Sequence, residues 1–365
     1  MRVLIIGPIE KAGGVSTHTK ELANSLKELG VVVEVYNISP NKEYSSLLSN
    51  FIKLYKRTIG LSLKLIRDSK KFDIIHVQAS GPLGGLLPAI VGAFWKKIMG
   101  FRLVVTFHYS KTEGFIKKHK RLFEYIINLS DKFIVVSNKQ RKAFESLLNM
   151  PLHKKIIVIP NGYNPQKFIT VPKDDARKKL GLHLNDKILV NVALLLEKKG
   201  HKYLIDAMNI LVNKKGKTDI KCFIIGEGPL KIELEQQINT LNLEENVKLL
   251  GFVPDDKLSY WLNAADIFVL PSLSEGNPTV MFEVLGVGLP FIGTKVGGIS
   301  EIIISEDYGL LCKPANPEDL AEKILIALEK QWDKEKIRKY AEQFTWDNIA
   351  KQVLDIYMRV IENAK

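Results

Sequence analysis

The residues best suited to chemistry lie in one run, Pro271-Ser272-Leu273-Ser274-Glu275-Gly276-Asn277-Pro278-Thr279-Val280-Met281-Phe282-Glu283, directly after the apolar stretch Ile267 to Leu270. Asn277 followed by Pro278 reads as a helix start, with Asn as N-cap and Pro in the first helical position. The free N–H groups of such a turn point to where a ligand would sit. Glu275 then stands just before the helix and Glu283 nearly two turns into it. Both carboxylates can accept hydrogen bonds from sugar hydroxyls at different depths of one molecule. The plainer alternative has Glu275 complementing the helix dipole and Glu283 facing solvent.

Three further groups join this run. Lys199, in Glu197-Lys198-Lys199-Gly200, ends a loop after a predicted strand, where an ammonium can stabilise a departing diphosphate or simply be solvated. Gly13-Gly14-Val15, Gly226-Glu227-Gly228-Pro229 and Gly297-Gly298-Ile299-Ser300-Glu301 are glycine turns after strands, able to bring backbone N–H groups to a phosphate or to serve only as turns. His108 ends the strand-like Leu103 to Phe107, at the carboxyl end of a parallel sheet, where it either meets a ligand or caps the strand. Neither G-x-G-x-x-G nor G-x-x-x-x-G-K occurs, which disfavours nicotinamide dinucleotides and a P-loop. There is no H-E-x-x-H, and no two aspartates lie two apart, so neither a catalytic zinc nor a D-x-D metal–diphosphate site is expected.

The elements that must position these groups alternate strand and helix throughout, the pattern of parallel sheets covered on both faces. Strands are predicted at Arg2 to Ile6, Val31 to Tyr36, Ile74 to Val77, Leu103 to Phe107, Phe133 to Val136 and Ile156 to Ile159. The turn-rich Pro160 to Pro165 ends that series. A second series follows at Ile188 to Ala193, Lys221 to Ile225, Val247 to Leu250, Ile267 to Leu270 and Phe291 to Gly293. Two domains, 1–165 and 166–345, suit a chain of 365 residues. Thr345 is a plausible N-cap for a last helix within 346–365 that crosses back to the first domain.

The sequence closely resembles the family 4 retaining glycosyltransferases of GT-B fold. The resemblance is carried in order by Gly13-Gly14-Val15, Asp73 to Val77, Thr106-Phe107-His108, Val135-Val136-Ser137, Ile159 to Gly162, Glu197 to Gly200, Gly226 to Pro229, Leu250 to Val253, Ala265-Asp266-Ile267 and the run from Leu270 to Glu301. Glu275 to Glu283 fits the family's E-x7-E element. The resemblance implies two Rossmann-like domains facing each other across a cleft, a nucleotide diphosphate sugar as co-substrate with no resident cofactor or metal, and front-face transfer with retention. Residue by residue, it gives Glu283 the donor ribose, and gives Glu275 with Gly276, Asn277 and Pro278 the sugar. Lys199 and the Gly13-Gly14 backbone meet the diphosphate, and His108 meets the transferred sugar. Gly226, Gly251, Phe252, Val253 and Thr279 fall at the donor by the same resemblance. One departure is Leu194, where relatives usually carry an arginine five residues before the lysine; Lys11 is a candidate substitute cation.

The acceptor must be read from charge. Of the net +13, residues 1–160 hold 26 Lys and Arg against 11 Asp and Glu, and the remainder 27 against 29. Phe51 to Arg67 and Phe115 to Ile127 read as basic amphipathic helices able to lie on anionic lipid, or as helices whose apolar faces pack on the sheet. A lipid-linked or polysaccharide-precursor acceptor at the inner membrane face is the expectation, with the protein cytoplasmic and peripheral. The first residues hold no signal-peptide core, and Gly81 to Trp95 is shorter than the about 20 residues a span needs. Cys222 and Cys312 read as core thiols. A nucleotide-sugar binder without turnover, motivated by Leu194, is one alternative. A nucleic-acid-binding protein explains only the charge, a glycosidase would need only water, and a pyridoxal-phosphate phosphorylase would show its cofactor's absorbance.

Overall fold

The computed structural model describes residues 1–10, 13–39, 46–148 and 154–363. The chain forms two compact units, Met1–Gly162 joined by Trp346–Lys365, and Tyr163–Thr345. Each is a Rossmann-like α/β domain around a six-stranded parallel sheet.

In the first domain the strands are β1 (Arg2–Gly7), β2 (Val32–Asn37), β3 (Ile74–Ser80), β4 (Leu103–His108), β5 (Lys132–Val135) and β6 (Ile156–Val158), in the order β2-β1-β3-β4-β5-β6. Central strands of such a sheet are covered on both faces and read as continuous apolar runs; Val3, Leu4, Ile5 and Ile6 are all fully buried. Successive side chains point to opposite faces. Leu4, Ile6, Ile75, Val77, Val105 and Phe107 pack under the helices Ile59–Asp68, Leu83–Met99 and Lys120–Leu129. Val3, Ile5, Ile74 and Val104 pack instead under the helix Gly14–Glu28 and the C-terminal helix Trp346–Glu362, which brings Ile349, Val353, Ile356 and Tyr357.

The second domain holds β7 (Lys187–Val192), β8 (Ile220–Ile225), β9 (Val247–Gly251), β10 (Ile267–Leu270), β11 (Phe291–Thr294) and β12 (Gly309–Cys312), in the order β12-β11-β10-β7-β8-β9. Its strand order reverses between β7 and β10, so the loops leaving those two strands flank the crevice where doubly wound folds bind ligands. Both cysteines are free and buried, and burial pushes each thiol up to about 12.

Three local expectations are corrected. β12 was absent from the predicted strands, because its four residues Gly309-Leu310-Leu311-Cys312 are too short to show a period. The stretch Phe51 to Arg67 is two helices, Ser46–Arg57 and Ile59–Asp68, broken at Thr58 (φ −123°, ψ −87°). Phe115 to Ile127 likewise divides at His119 into Thr112–Lys118 and Lys120–Leu129.

Candidate active site

The loop after β7 ends in the short 3₁₀ turn Glu197–Lys199, which Gly200 closes in the left-handed region at φ +70°. A Cβ at Gly200 would stand 2.1 Å from the carbonyl oxygen of Pro271, so only glycine lets this loop approach the one after β10. The loops are tied where Leu273 N–H donates to the Lys198 carbonyl at 2.8 Å. The consequence is chemical: Lys199 Nζ lies 2.6 Å from Glu275 Oε1, which also accepts from Ser272 Oγ at 2.7 Å. Lys199 retains 17% of its side-chain exposure and Glu275 only 7%. An ammonium has three donors, so this pairing leaves two for an incoming anion.

A third loop, after β11, buttresses Glu275. Gly297 has φ +56°, and a Cβ there would fall 1.9 Å from the Glu275 carbonyl oxygen. Gly298 N–H donates to the Gly276 carbonyl at 2.7 Å, and Thr294 Oγ1 donates to the Ser272 carbonyl at 2.5 Å. Ser272 and Thr294 were not singled out from the sequence; Ser272 stands three residues before Glu275, and Thr294, the last residue of β11, is brought to the Ser272 carbonyl by the fold.

The helix bearing Glu283 corrects the predicted cap. It runs Thr279–Gly286 with Pro278 in the cap position (φ −69°, ψ 125°), so Asn277 lies one residue outside the expected N-cap and Glu283 stands about one turn in. Asn277 is buried and Glu283 half-buried. After β8, Gly226 has φ +146° with a Cβ position 1.9 Å from the Ala193 carbonyl oxygen, and its N–H donates to the Gly251 carbonyl at 2.8 Å. Gly251 itself (φ +72°) turns the chain after β9 and leaves Phe252 67% exposed, while Val253 packs partly on the core. Leu194 is exposed on the loop after β7, and Lys11 lies outside the described residues.

His201, which follows Gly200, was also missed. Its two ring nitrogens are buried with no hydrogen-bond partner, and burial, with Lys199 nearby, lowers its pKa to about 4.

In the first domain, Gly13 (φ 136°) precedes the helix Gly14–Glu28, and His108 ends β4, half-buried. Around His108 the structure gathers polar groups not singled out from the sequence. His18, one helical turn beyond Gly14, lies edge-on to the His108 ring at 4.5 Å, and its Nδ1 is 2.8 Å from Asn161 Oδ1. His108 Nε2 is 2.8 Å from Gln78 Oε1, and His76 lies beyond Gln78 on the same strand. All three histidines are neutral near pH 7. Burial lowers His18 to about 4 against the raising effect of its Asn161 bond, and lowers His76 to about 3 with help from His18. His108 falls well below the ordinary value, by burial first and then by its two neighbours. The legible clue was the interruption of the buried strand Ile74–Ser80 by His76 and Gln78. Among the described residues no three His, Cys, Asp or Glu side chains converge as metal ligands.

Residues 12–167 match the model of Glycosyltransferase Family 4, and residues 172–344 match that of Glycosyl transferases group 1. An uncharacterized glycosyltransferase of Methanocaldococcus jannaschii is 29% identical over 97% of this chain and 96% of its own length. The Escherichia coli enzyme UDP-Gal:alpha-D-GlcNAc-diphosphoundecaprenol alpha-1,3-galactosyltransferase is 29% identical over 80% of this chain and 72% of its own. Among solved structures, Anabaena HepE in complex with UDP superposes with a TM-score of 0.76 at 22% identity, covering 98% of this chain and 100% of that one. The two domains are those of the GT-B fold, and the chain belongs to the family 4 glycosyltransferases.

Proposed function

We propose that this glycosyltransferase takes its sugar from a nucleoside diphosphate donor held by the second domain and transfers it with retention, without a metal. The observation that carries the reading is the Lys199–Glu275 pair, set by Gly200 and Gly297 at the strand-order reversal of that sheet. On this reading Lys199 faces the diphosphate with its remaining donors and takes the role a metal would otherwise fill. Glu275 and the Gly276-Asn277-Pro278 backbone hold the sugar, and Glu283 holds the ribose. In the first domain, His108 and the Gly13-Gly14 turn contact substrate. The protein's contribution is orientation and charge, with a donor phosphate oxygen taking the acceptor proton. The HepE complex with UDP supports the donor class. A thermal-shift panel of nucleotide sugars, run on the full chain and on Glu283→Gln, tests it. One donor should raise the melting temperature of the parent and do so less in the variant; no shift with any donor, or equal shifts in both, refutes the assignment.

For the acceptor we favour a lipid-linked polysaccharide precursor met at the inner membrane face. The Escherichia coli relative, named for a diphosphoundecaprenol-linked acceptor, supports it. So does a surface of the first domain: Leu48, Phe51, Leu54, Tyr55, Ile59, Leu63 and Ile66 on two successive helices, with Phe94 and Ile98 on a third, are exposed large apolar side chains. Such clustering marks an interaction surface. The second basic stretch contributes less, since Phe115, Ile116, Phe123, Ile126 and Ile127 belong to the core. Part of the positive charge is also spent internally, with Lys64, Arg67 and Lys71 all paired to Asp68. No described helix is long and apolar enough to cross a membrane, so attachment through this surface would be peripheral. Flotation with vesicles containing anionic lipid should carry the protein at low salt, and Phe51→Asp should abolish it; equal flotation with neutral vesicles removes the charge argument.

A further inference from the structure

Strands covered on both faces are ordinarily apolar throughout, and β3 and β4 begin that way, with Ile74 and Val104 under the C-terminal helix. Toward their carboxyl ends the same face turns polar, through His76 and Gln78 on β3 and Thr106 and His108 on β4, with Gln78 in register with Thr106. His76, Gln78 and Thr106 are all buried. Burying such groups is unfavourable unless each is hydrogen-bonded. Here they form one chain of contacts. The Tyr357 hydroxyl is 2.5 Å from His76 Nδ1, and His76 Nε2 is 2.7 Å from Thr106 Oγ1 and 3.3 Å from Gln78 Nε2. Gln78 Oε1 is then 2.8 Å from His108 Nε2.

With the Gln78 amide oxygen turned toward His108 and its nitrogen toward His76, counting donors assigns the protons. Gln78 Oε1 can only accept, so the His108 ring proton sits on Nε2 and is donated there. Gln78 Nε2 can only donate, so His76 Nε2 is bare, accepts from Thr106 as well, and keeps its proton on Nδ1, directed to the Tyr357 oxygen. Turning the amide over would reverse both rings together. We propose that Gln78 is a positioning residue that sets the tautomer of His108, holding the proton on Nε2 and leaving Nδ1 as a bare acceptor for a substrate hydroxyl. Tyr357 anchors the far end, which gives the C-terminal helix a chemical task beyond packing. The contribution to transfer rests on the proposed function; the tautomer does not.

The test uses the full chain labelled with ¹⁵N in its histidine rings, with the His108 signals assigned by their loss in His108→Gln. Two-bond ¹⁵N–¹H correlations should show His108 protonated on Nε2 and bare at Nδ1. Gln78→Met, of similar length but without the amide, should mix the tautomers and lower kcat roughly tenfold or more, with donor KM changed less than about twofold. Gln78→Glu restores an accepting oxygen, so it should keep Nε2 protonated and retain more activity than Gln78→Met. A His108 proton on Nδ1 in the parent protein, or an unchanged tautomer in Gln78→Met, overturns the proposal. So does greater activity in Gln78→Met than in Gln78→Glu, which would make the role one of packing. Should no nucleotide sugar turn over, the proposed function fails while the spectrum of the parent still decides the tautomer.

Discussion

Replacing Lys199 by Met removes the ammonium and keeps most of the alkyl volume, leaving the buried Glu275 carboxylate with the Ser272 hydroxyl as its side-chain donor. At the observed 2.6 Å, the gross attraction of two unit charges at an effective dielectric of about 20 is roughly 6 kcal/mol. Desolvation of the two ions cancels most of that, yet removing one partner strands the other, which costs about 3–5 kcal/mol for fully buried pairs. Because Lys199 keeps 17% exposure, the expected loss is smaller, about 2–4 kcal/mol. Glu275→Gln should cost about 1–2 kcal/mol, since an amide oxygen still accepts from both donors. In the double variant no charge is stranded, so the two costs should fall short of additivity by at least about 1 kcal/mol. Urea unfolding measures this through Trp261 and Trp332, both in the second domain, with Trp95 and Trp346 replaced by Phe. Turnover adds a second readout: loss of a cation aimed at developing negative charge should lower kcat by roughly 10²–10³. Additivity of the two single variants within about 0.5 kcal/mol would refute the claim that the pair is the electrostatic centre of this loop cluster.

Two further outcomes follow from the buried histidines. His201→Leu replaces two unpartnered ring nitrogens with an apolar side chain and should stabilise the second domain by about 1 kcal/mol; a loss of stability, read as a lower urea midpoint, would contradict the orphaned ring. Acid should destabilise the first domain more than the second. His18 and His76 have folded pKa values near 4 and 3, and His201 near 4, all below the ordinary 6.5. The unfolded chain therefore binds protons first as pH falls. The stabilisation is present in full above about pH 6.5 and is lost on the way down to the folded values, about 2 kcal/mol per histidine by pH 5. Urea midpoints at pH 7.5 and 5 check this, and a first domain as stable at the lower pH would sink it.

Much of this site was legible because its geometry is enforced locally. Glu275, Gly276 and Glu283 share one strand–loop–helix unit, and Lys199-Gly200 is an adjacent pair whose glycine permits the approach to Pro271. Residues linked by chain neighbours announce themselves by spacing. The polar face around His108 does not, because Tyr357 and His76 are 281 positions apart and meet only when the C-terminal helix packs on the sheet. The misplaced cap at Asn277 has a different origin: a preferred cap residue marks a helix start only to within a residue or two, and the helix opens at Thr279 after Pro278.

The two basic amphipathic stretches show the limit most clearly, since similar sequence patterns met different fates. A period near 3.6 identifies an apolar face and says nothing about what covers it. Helix Lys120–Leu129 lies directly on the sheet, so Phe123, Ile126 and Ile127 vanish into the core beside Phe107 and Phe133. That face of the sheet is covered by Ile59–Asp68, Leu83–Met99 and Lys120–Leu129, and in helix Ser46–Arg57 no residue from 48 to 57 is fully buried. Its apolar side chains are left outward because the area of six strands is finite. An apolar face without sheet to cover it retains its drive to leave water, and a partner outside the chain can satisfy that drive.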